Sequence, residues 1–237
     1  EIRLSLVGSE MCIRDRFDQM LKELEELEKA HPEFQDSNSP TQRVGSSLNN
    51  DFISIQHNYP MYSLENSYSK EELLKWKERI VKILKTENIS FSCELKLDGV
   101  SISLSYQNGN LVRGLTRGDG QKGDDVTKNI RTINTIPLKT LKKIDYDFDI
   151  RGEVVIEKTD FEQLNKLRLK NGEEPYMNPR NTASGSIKLV SSKEVRKRPL
   201  KCYFFQIISE DSPFKSQSES LNIAKELGFN ISKTNKF

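Results

Sequence analysis

The sequence predicts an α+β chain: mostly antiparallel sheet with flanking helices. Three observations carry this reading. Apolar residues alternate with polar ones from Phe91 and from Phe148, which is the period of a strand with one covered face, and 200–208 reads as a further strand. An Asn108-Gly109 pair, a strong hairpin turn, sits between two such runs. Apolar residues recur at threes and fours over 17–30 and from residue 69 onward, the spacing of an amphipathic helix. Strands are too numerous for a helical bundle. At 237 residues, 35% hydrophobic and 30% charged, the chain is long enough for one large domain or two small ones and can bury a real core.

In order along the chain, Phe17, Met20, Leu21, Leu24 and Leu27 form one stripe of a charged helix that His31-Pro32 ends. The segment 35–50 is rich in Ser, Asn, Gly and Pro without an apolar period, so it reads as a linker with a domain boundary near residue 50. Ser69 and Glu72 make a capping box for a second helix, whose stripe is Leu73, Trp76, Ile80, Ile83 and Leu84. From Phe91, the alternation places Phe91, Cys93, Leu95 and Leu97 on a core face and Glu94, Lys96 and Asp98 on the other. The parity flips at Gly99, a bulge or kink, because Val100, Ile102, Leu104 and Tyr106 then carry the apolar face. After the hairpin come a strand over 111–116 and a Gly- and Asp-rich loop, RGDGQKGDD. A third strand over 148–156 puts Glu153 on its polar face. Thr159 and Glu162 cap the following helix, with Phe161, Leu164 and Leu167 as its buried stripe. A polar loop, a strand over 200–208 and a helix from about Ser218 that stops at Gly228 complete the pattern.

Composition excludes several classes. The 37 Lys+Arg against 35 Asp+Glu are too balanced for a chain-wide basic footprint, so any nucleic-acid contact must be local. Cys12, Cys93 and Cys202 are odd in number and far apart, which supports neither a disulfide framework nor a zinc knuckle, and buried free thiols are expected. No stretch approaches the roughly 20 apolar residues of a spanning helix, and EIRLSLVGSEMCIRDR carries charges where a secretory segment is apolar. A cytoplasmic protein with no membrane partner is expected.

Lys96 is the most informative position. Taken by itself it can be an edge-strand lysine paired to Glu94 and Asp98, and spacing alone does not separate that from a reactive amine. The order CELKLDGVSISL, TRGDG, RGEVVI and NPRNTASGSIKL, however, resembles the NAD-dependent DNA ligases of bacteria, over Phe17 to the C-terminus. The resemblance implies a covalent nucleotidyltransferase (ATP-grasp-like ligase) adenylation fold preceded by a partial small helical domain. Lys96 is then the nucleophile that attacks the α-phosphorus of NAD, expels nicotinamide mononucleotide and holds AMP as a phosphoramidate. The attacking amine must be neutral, so the carboxylates of Asp98 and Glu153 call for compensating cations or Mg²⁺ nearby.

By the same resemblance Glu94 accepts a hydrogen bond from the adenine amino group, Arg117 contacts the nucleotide, and Glu153 lies near the ribose and the metal. Ser63 and Leu64, in HNYPMYSLEN, lie against the adenosine. Phe205 stands where relatives often stack a tyrosine on adenine, although a core aromatic is an equal reading. Arg180 and Asp98 serve DNA or phosphate, as does Lys188 in place of an arginine. Lys188, Lys193, Arg196, Lys197, Arg198 and Lys201 face only Glu194, a patch suited to phosphate backbone or simply a solvated face.

The expected division is an unmatched tail over 1–16, a partial nicotinamide-mononucleotide-binding helical region and linker over 17–50, and the adenylation domain over 51–237. Of the first region's nucleotide contacts only Asp18 remains, since Phe17 stands for a tyrosine and Arg14 for an aspartate. The family's two later lysine motifs, its OB-fold, zinc finger, helix-hairpin-helix and BRCT regions have no counterpart before Phe237. The expectation is therefore a monomeric fragment, truncated at both ends, that takes NAD, Mg²⁺ and nicked double-stranded DNA but fails to seal a nick alone. Zinc would belong only to the missing part. A second reading is a noncatalytic nucleotide- or nucleic-acid-binding module derived from a ligase.

Overall fold

The computed structural model describes residues 20, 23–24, 26–34, 39–43, 52–64, 66–211, 213–232 and 234–236. In chain order the elements are β1 (Ser54–Gln56), α1 (Lys70–Leu84), β2 (Ser92–Glu94), β3 (Val100–Gln107), β4 (Asn110–Thr116), β5 (Lys122–Asp124), α2 (Thr127–Ile130), β6 (Phe148–Val155), α3 (Lys158–Lys170), α4 (Pro179–Ile187), α5 (Ser192–Arg196), β7 (Lys201–Ile208), α6 (Gln217–Glu226) and β8 (Thr234–Lys236). The centre is a four-stranded sheet in the order β4-β3-β6-β7, antiparallel throughout, and β1-β5 and β2-β8 form two small antiparallel ribbons. The expected α+β class with antiparallel sheets and flanking helices is the observed one.

Alternation explains the central sheet. Ile102, Leu104 and Tyr106 of β3, Ile150 and Val154 of β6, and Cys202 and Phe204 of β7 fall on one face in register and are almost completely buried. The Tyr106 ring stacks on Phe148 at 5.1 Å, and Phe229 meets both edge-on. Asn108 and Gly109 turn the β3–β4 hairpin with φ of 49° and 75°, a region Asn and Gly enter at least cost.

The other face of the sheet was expected to be polar, and it is polar yet buried. Ser103, Ser105, Asp149 and Arg151 are at most 9% exposed because the segment before Ser63 lies across them as a strap. Arg151 donates to the carbonyls of Tyr59 (3.0 Å) and Pro60 (2.7 Å) and to Gln206 Oε1 (3.0 Å), and Asn58 donates to Asp149 at 3.1 Å and Ser105 at 3.3 Å. Burial pulls the Arg151 pKa below the ordinary arginine value, and the neighbouring Asp149 charge opposes that shift. Arg151→Met should leave these acceptors unpaired and cost about 3 kcal/mol in urea unfolding, with faster proteolysis within 52–64. Unchanged stability and cleavage would show that the strap is held by other means.

Three local expectations are corrected. Ser69 does cap α1, accepting from the Glu72 amide at 3.1 Å, but no residue of α1 is fully buried and Leu73, Ile83 and Leu84 are more than half exposed. Its stripe is left mostly uncovered among the described residues, and Trp76 packs on Phe91 at 5.4 Å. Glu157, not Thr159, precedes α3, without a side-chain cap, and Leu167 is exposed. The partly buried face of α3 keeps Phe161 and Leu164 as expected and adds Asn165 and Arg168, whose bonds to Tyr176 and Glu174 fasten the returning chain. The polar loop expected after α3 contains α4, capped by Asn178 Oδ1 with Pro179 at the first position, and then α5. Small side chains at Ala183 and Ser186 are buried and let α4 lie close on the sheet.

Of the first helix, 26–30 is helical, and the His31 amide closes it onto Leu27 O at 2.9 Å. Met20 and Leu27 of its stripe are exposed. Phe17, Asp18, Leu21, Cys12 and the tail over 1–16 lie outside the described residues. Cys202 is buried as expected, and burial pushes its thiol well up, whereas Cys93 is exposed.

Candidate active site

The motif KLDG leaves β2 at Glu94 and enters β3 at Val100. The expected long strand ends after Glu94, so Lys96 stands on an irregular crossing between two sheets rather than on a strand face. The expected core face fails with it: Cys93 is exposed and Leu95 is 64% exposed. The reason is that β2 pairs only with β8 in a two-stranded ribbon, so the period of two there lines no covered face. Lys96 itself is exposed and makes no ion pair among the described residues, which removes the edge-strand lysine paired to its neighbours.

At Gly99 the chain bends and passes so close to β6 that a Cβ there would sit 2.2 Å from the Val154 carbonyl oxygen. Close approach, not an insertion within one strand, is what this glycine provides. Its amide donates to Glu153 Oε1 at 3.1 Å, and the hydroxyl of Ser101, opposite Glu153 in the ladder, donates to Oε2 at 2.6 Å. The carboxylate of RGEV is thus fixed against the backbone of KLDG.

Arg117 joins this row. Its amide donates to Ser101 O at 3.1 Å, and its guanidinium reaches Ser63 Oγ at 3.4 Å. Buried His57 donates from Nε2 to Arg117 O at 3.1 Å, and the strap is tied to the RGDG loop by Met61 N to Gly120 O (2.8 Å) and His57 N to Gln121 O (2.9 Å). Within that loop Asp119 accepts from the Lys122 and Gln121 amides, which hold its carboxyl below the usual range. Ser63 and Leu64 are exposed beyond the strap.

Glu94 and Phe205 are brought together by a residue that sequence reasoning did not single out. Gln217, the first residue of α6, donates to Glu94 Oε1 at 3.0 Å and to Phe205 O at 2.7 Å. Phe205 is the extra residue of a β-bulge, because Gly152 pairs with Phe204 while Arg151 pairs with Gln206. It is half-buried on the strand, outside the fully buried core row of Cys202 and Phe204.

The remaining predicted residues are placed as follows. Arg180 Nε lies 3.3 Å from Asp98 Oδ1, so the Asp98 charge next to Lys96 is offset by a cation from α4. Lys188 Nζ pairs with Asp124 at 2.6 Å, Lys197 with Glu194 at 2.7 Å, and Lys201 with Glu157 at 2.7 Å and Asp160 at 3.0 Å. The basic run 188–201 therefore does not face Glu194 alone, a correction set by partners that sequence distance hides. The Lys201 and Tyr203 hydrogen bonds hold the Glu157 carboxyl below its usual value. A cavity of about 330 Å³ between Tyr176, Arg198 and α4 is lined by Arg198 of the basic run and by none of the residues expected to contact the nucleotide.

Arg151, His57 and Asn58 were missed as positioning residues. The signal available for Arg151 was its place between Asp149 and Glu153 on a face that was assumed to be open.

Residues 49–237 match the model of the NAD-dependent DNA ligase adenylation domain, and residues 12–45 that of the DNA ligase-like, N-terminal NAD⁺-binding domain. The chain belongs to the NAD-dependent DNA ligase family. It is 54% identical over 91% of its length to a DNA ligase of Flavobacterium johnsoniae, 45% identical over 91% to one of Bacteroides fragilis and 40% identical over 94% to one of Thermosipho africanus. It spans about a third of the length of these relatives, 32%, 32% and 33%. Among the described residues no helix is long and apolar enough to cross a membrane.

Proposed function

We propose that this chain, with 51–237 as its adenylation domain, performs the nucleotide-transfer step of DNA ligation and takes NAD as substrate. The observation that carries the reading is the hydrogen-bonded row Ser63–Arg117–Ser101–Glu153–Gly99, which joins four sequence motifs beside an exposed Lys96 that has no partner among the described residues. The neutral Lys96 amine attacks the α-phosphorus of NAD; the P–N bond forms, the P–O bond to nicotinamide mononucleotide breaks, and the amine gives up a proton. Arg117 faces the growing negative charge on the phosphate with its guanidinium, and Arg180 offsets Asp98. Glu153, held by two donors, is a rigid acceptor for the ribose. Leu64 and Phe205 give apolar contact to the base, and Glu94 accepts from its amino group.

Mg²⁺ supplies charge neutralisation at the phosphates when bound. Among the described residues no three acidic, His or Cys side chains group into a metal site, and Glu153 already has both oxygens hydrogen-bonded, so the ion would rest mainly on substrate phosphate oxygens and water. Transfer of AMP to a DNA 5′-phosphate and sealing of nicked duplex in replication and repair, in the cytoplasm, are the proposed role of the longer ligase. This chain's share is to hold phosphate through Arg180 and Lys188, which exchange Asp98 and Asp124 for it, and through the members of the basic run without a partner among the described residues. Asp18 is the proposed contact to the nicotinamide mononucleotide half.

Incubating the 237-residue chain with NAD and Mg²⁺ and weighing it intact tests this. One added AMP from NAD and none from ATP is the expected result. The unmodified mass under both conditions would overturn it.

A further inference from the structure

We propose that Gln217 is the positioning residue that aims Glu94 and so sets the preference of the site for a 6-aminopurine over a 6-oxopurine. This deepens the adenylation reading and rests on it.

The amide of Gln217 has two hydrogens, and both are committed to protein acceptors: Glu94 Oε1 at 3.0 Å and Phe205 O at 2.7 Å. Because both partners only accept, the amino end of the side chain must face them, and a flipped amide would set oxygen against oxygen. The Phe205 carbonyl belongs to the extra residue of a bulge, which the strand ladder leaves aside. The side chain is also well anchored. Ser216 caps α6 by accepting from the Glu219 amide at 3.3 Å, and Ser220 Oγ donates to Gln217 O at 2.8 Å and reaches the side-chain oxygen Oε1 at 3.4 Å. Gln217 thereby ties β2, β7 and the start of α6 together across 123 residues of sequence.

The effect on Glu94 is directional. Ser92 Oγ also donates to Oε1, at 3.0 Å, and among the described residues no donor reaches Oε2. One carboxylate oxygen is locked by two donors, and the other is left to accept from a ligand. A carboxylate accepts only, and the donors of Gln217 are already spent, so a base that presents a 6-oxo group here meets acceptor against acceptor. A base that presents a 6-amino group completes the set. Without the Gln217 amide, Glu94 can turn away, and the cost of the wrong base falls.

The test is isothermal titration of the 237-residue chain with NAD and with nicotinamide hypoxanthine dinucleotide, alongside thermal melting, for the parent, Gln217→Met, Gln217→His and Ser216→Ala. Met keeps length and bulk without a donor; His keeps one. The parent should prefer NAD. That preference should fall about tenfold in Gln217→Met, the size expected for losing a hydrogen bond to a charged group, and by less in Gln217→His. Ser216→Ala removes the cap of the same helix turn without touching the Gln217 side chain and should keep the preference. A merely structural role would weaken both dinucleotides equally and leave their ratio unchanged, which would overturn the assignment of Gln217 alone, as would an equal change of ratio in Ser216→Ala. If Gln217→Met melts below the assay temperature, the ratio in Gln217→His decides by the same criterion. Failure of the parent to bind either dinucleotide would overturn the adenylation reading and this proposal with it.

Discussion

Lys96→Ala should remove all covalent nucleotide from the chain while its melting temperature stays within about 2 °C of the parent's, the shift that a surface substitution of about 0.5 kcal/mol allows. The two halves of this expectation have separate causes. The P–N bond needs this amine, and its replacement by a methyl group leaves nothing on the crossing to attack phosphorus. The small stability effect follows from the surroundings: Lys96 is exposed, lies outside any strand and makes no hydrogen bond or ion pair among the described residues. Lys96→Arg should be as silent as alanine, because it keeps the charge and loses the nucleophile. Intact mass after incubation with NAD and Mg²⁺ reads all three proteins. An adduct that persists in Lys96→Ala would assign the chemistry to another residue.

Gly99→Ala should be the more damaging change to the fold, costing about 3 kcal/mol or more in urea unfolding and slowing adenylation at least about tenfold. The added Cβ would lie 2.2 Å from Val154 O and 2.8 Å from Val155 Cγ1. The first obstacle is backbone, and it cannot retreat without opening the β3–β6 ladder where Val100 pairs with Val154. Any shift also breaks the Gly99 amide's bond to Glu153 and moves Lys96, three residues earlier. Gly185→Ala gives the contrast: in the middle of α4, with nothing within 4 Å of the added Cβ, it should be neutral or stabilise by up to about 1 kcal/mol. Equal stability of Gly99→Ala and the parent would show that the β2–β3 crossing is looser than its contacts imply.

Much of the fold was legible before any coordinates. The rows of β3 and β6 were readable because one face of the sheet meets the apolar core and the other the polar strap, so a period of two reports which face is apolar: Ile102, Leu104 and Ile150 fall where alternation puts them. The hairpin at Asn108-Gly109 and the cap at Ser69 were readable because their chemistry is local. Phe91 to Asp98 failed because the same alternation on a three-residue strand, paired only to another three-residue strand, reports no covered face.

The site divides along the same line. Spacing alone did not single out Glu94, Lys96, Arg117 and Glu153; the resemblance carried by four motifs in order made them the candidates. Which charges remain free for a ligand was not in the sequence: Asp98 is taken by Arg180, Lys188 by Asp124 and Lys201 by Glu157. Nor were Arg151 and Gln217 visible as positioning residues, because their partners lie 91 and 123 residues away. Local pattern determines which face of an element can be apolar and which residues can do chemistry. Only packing decides which polar groups satisfy one another, because burial makes each unpaired donor or acceptor costly and leaves free only those that solvent or a ligand can still reach.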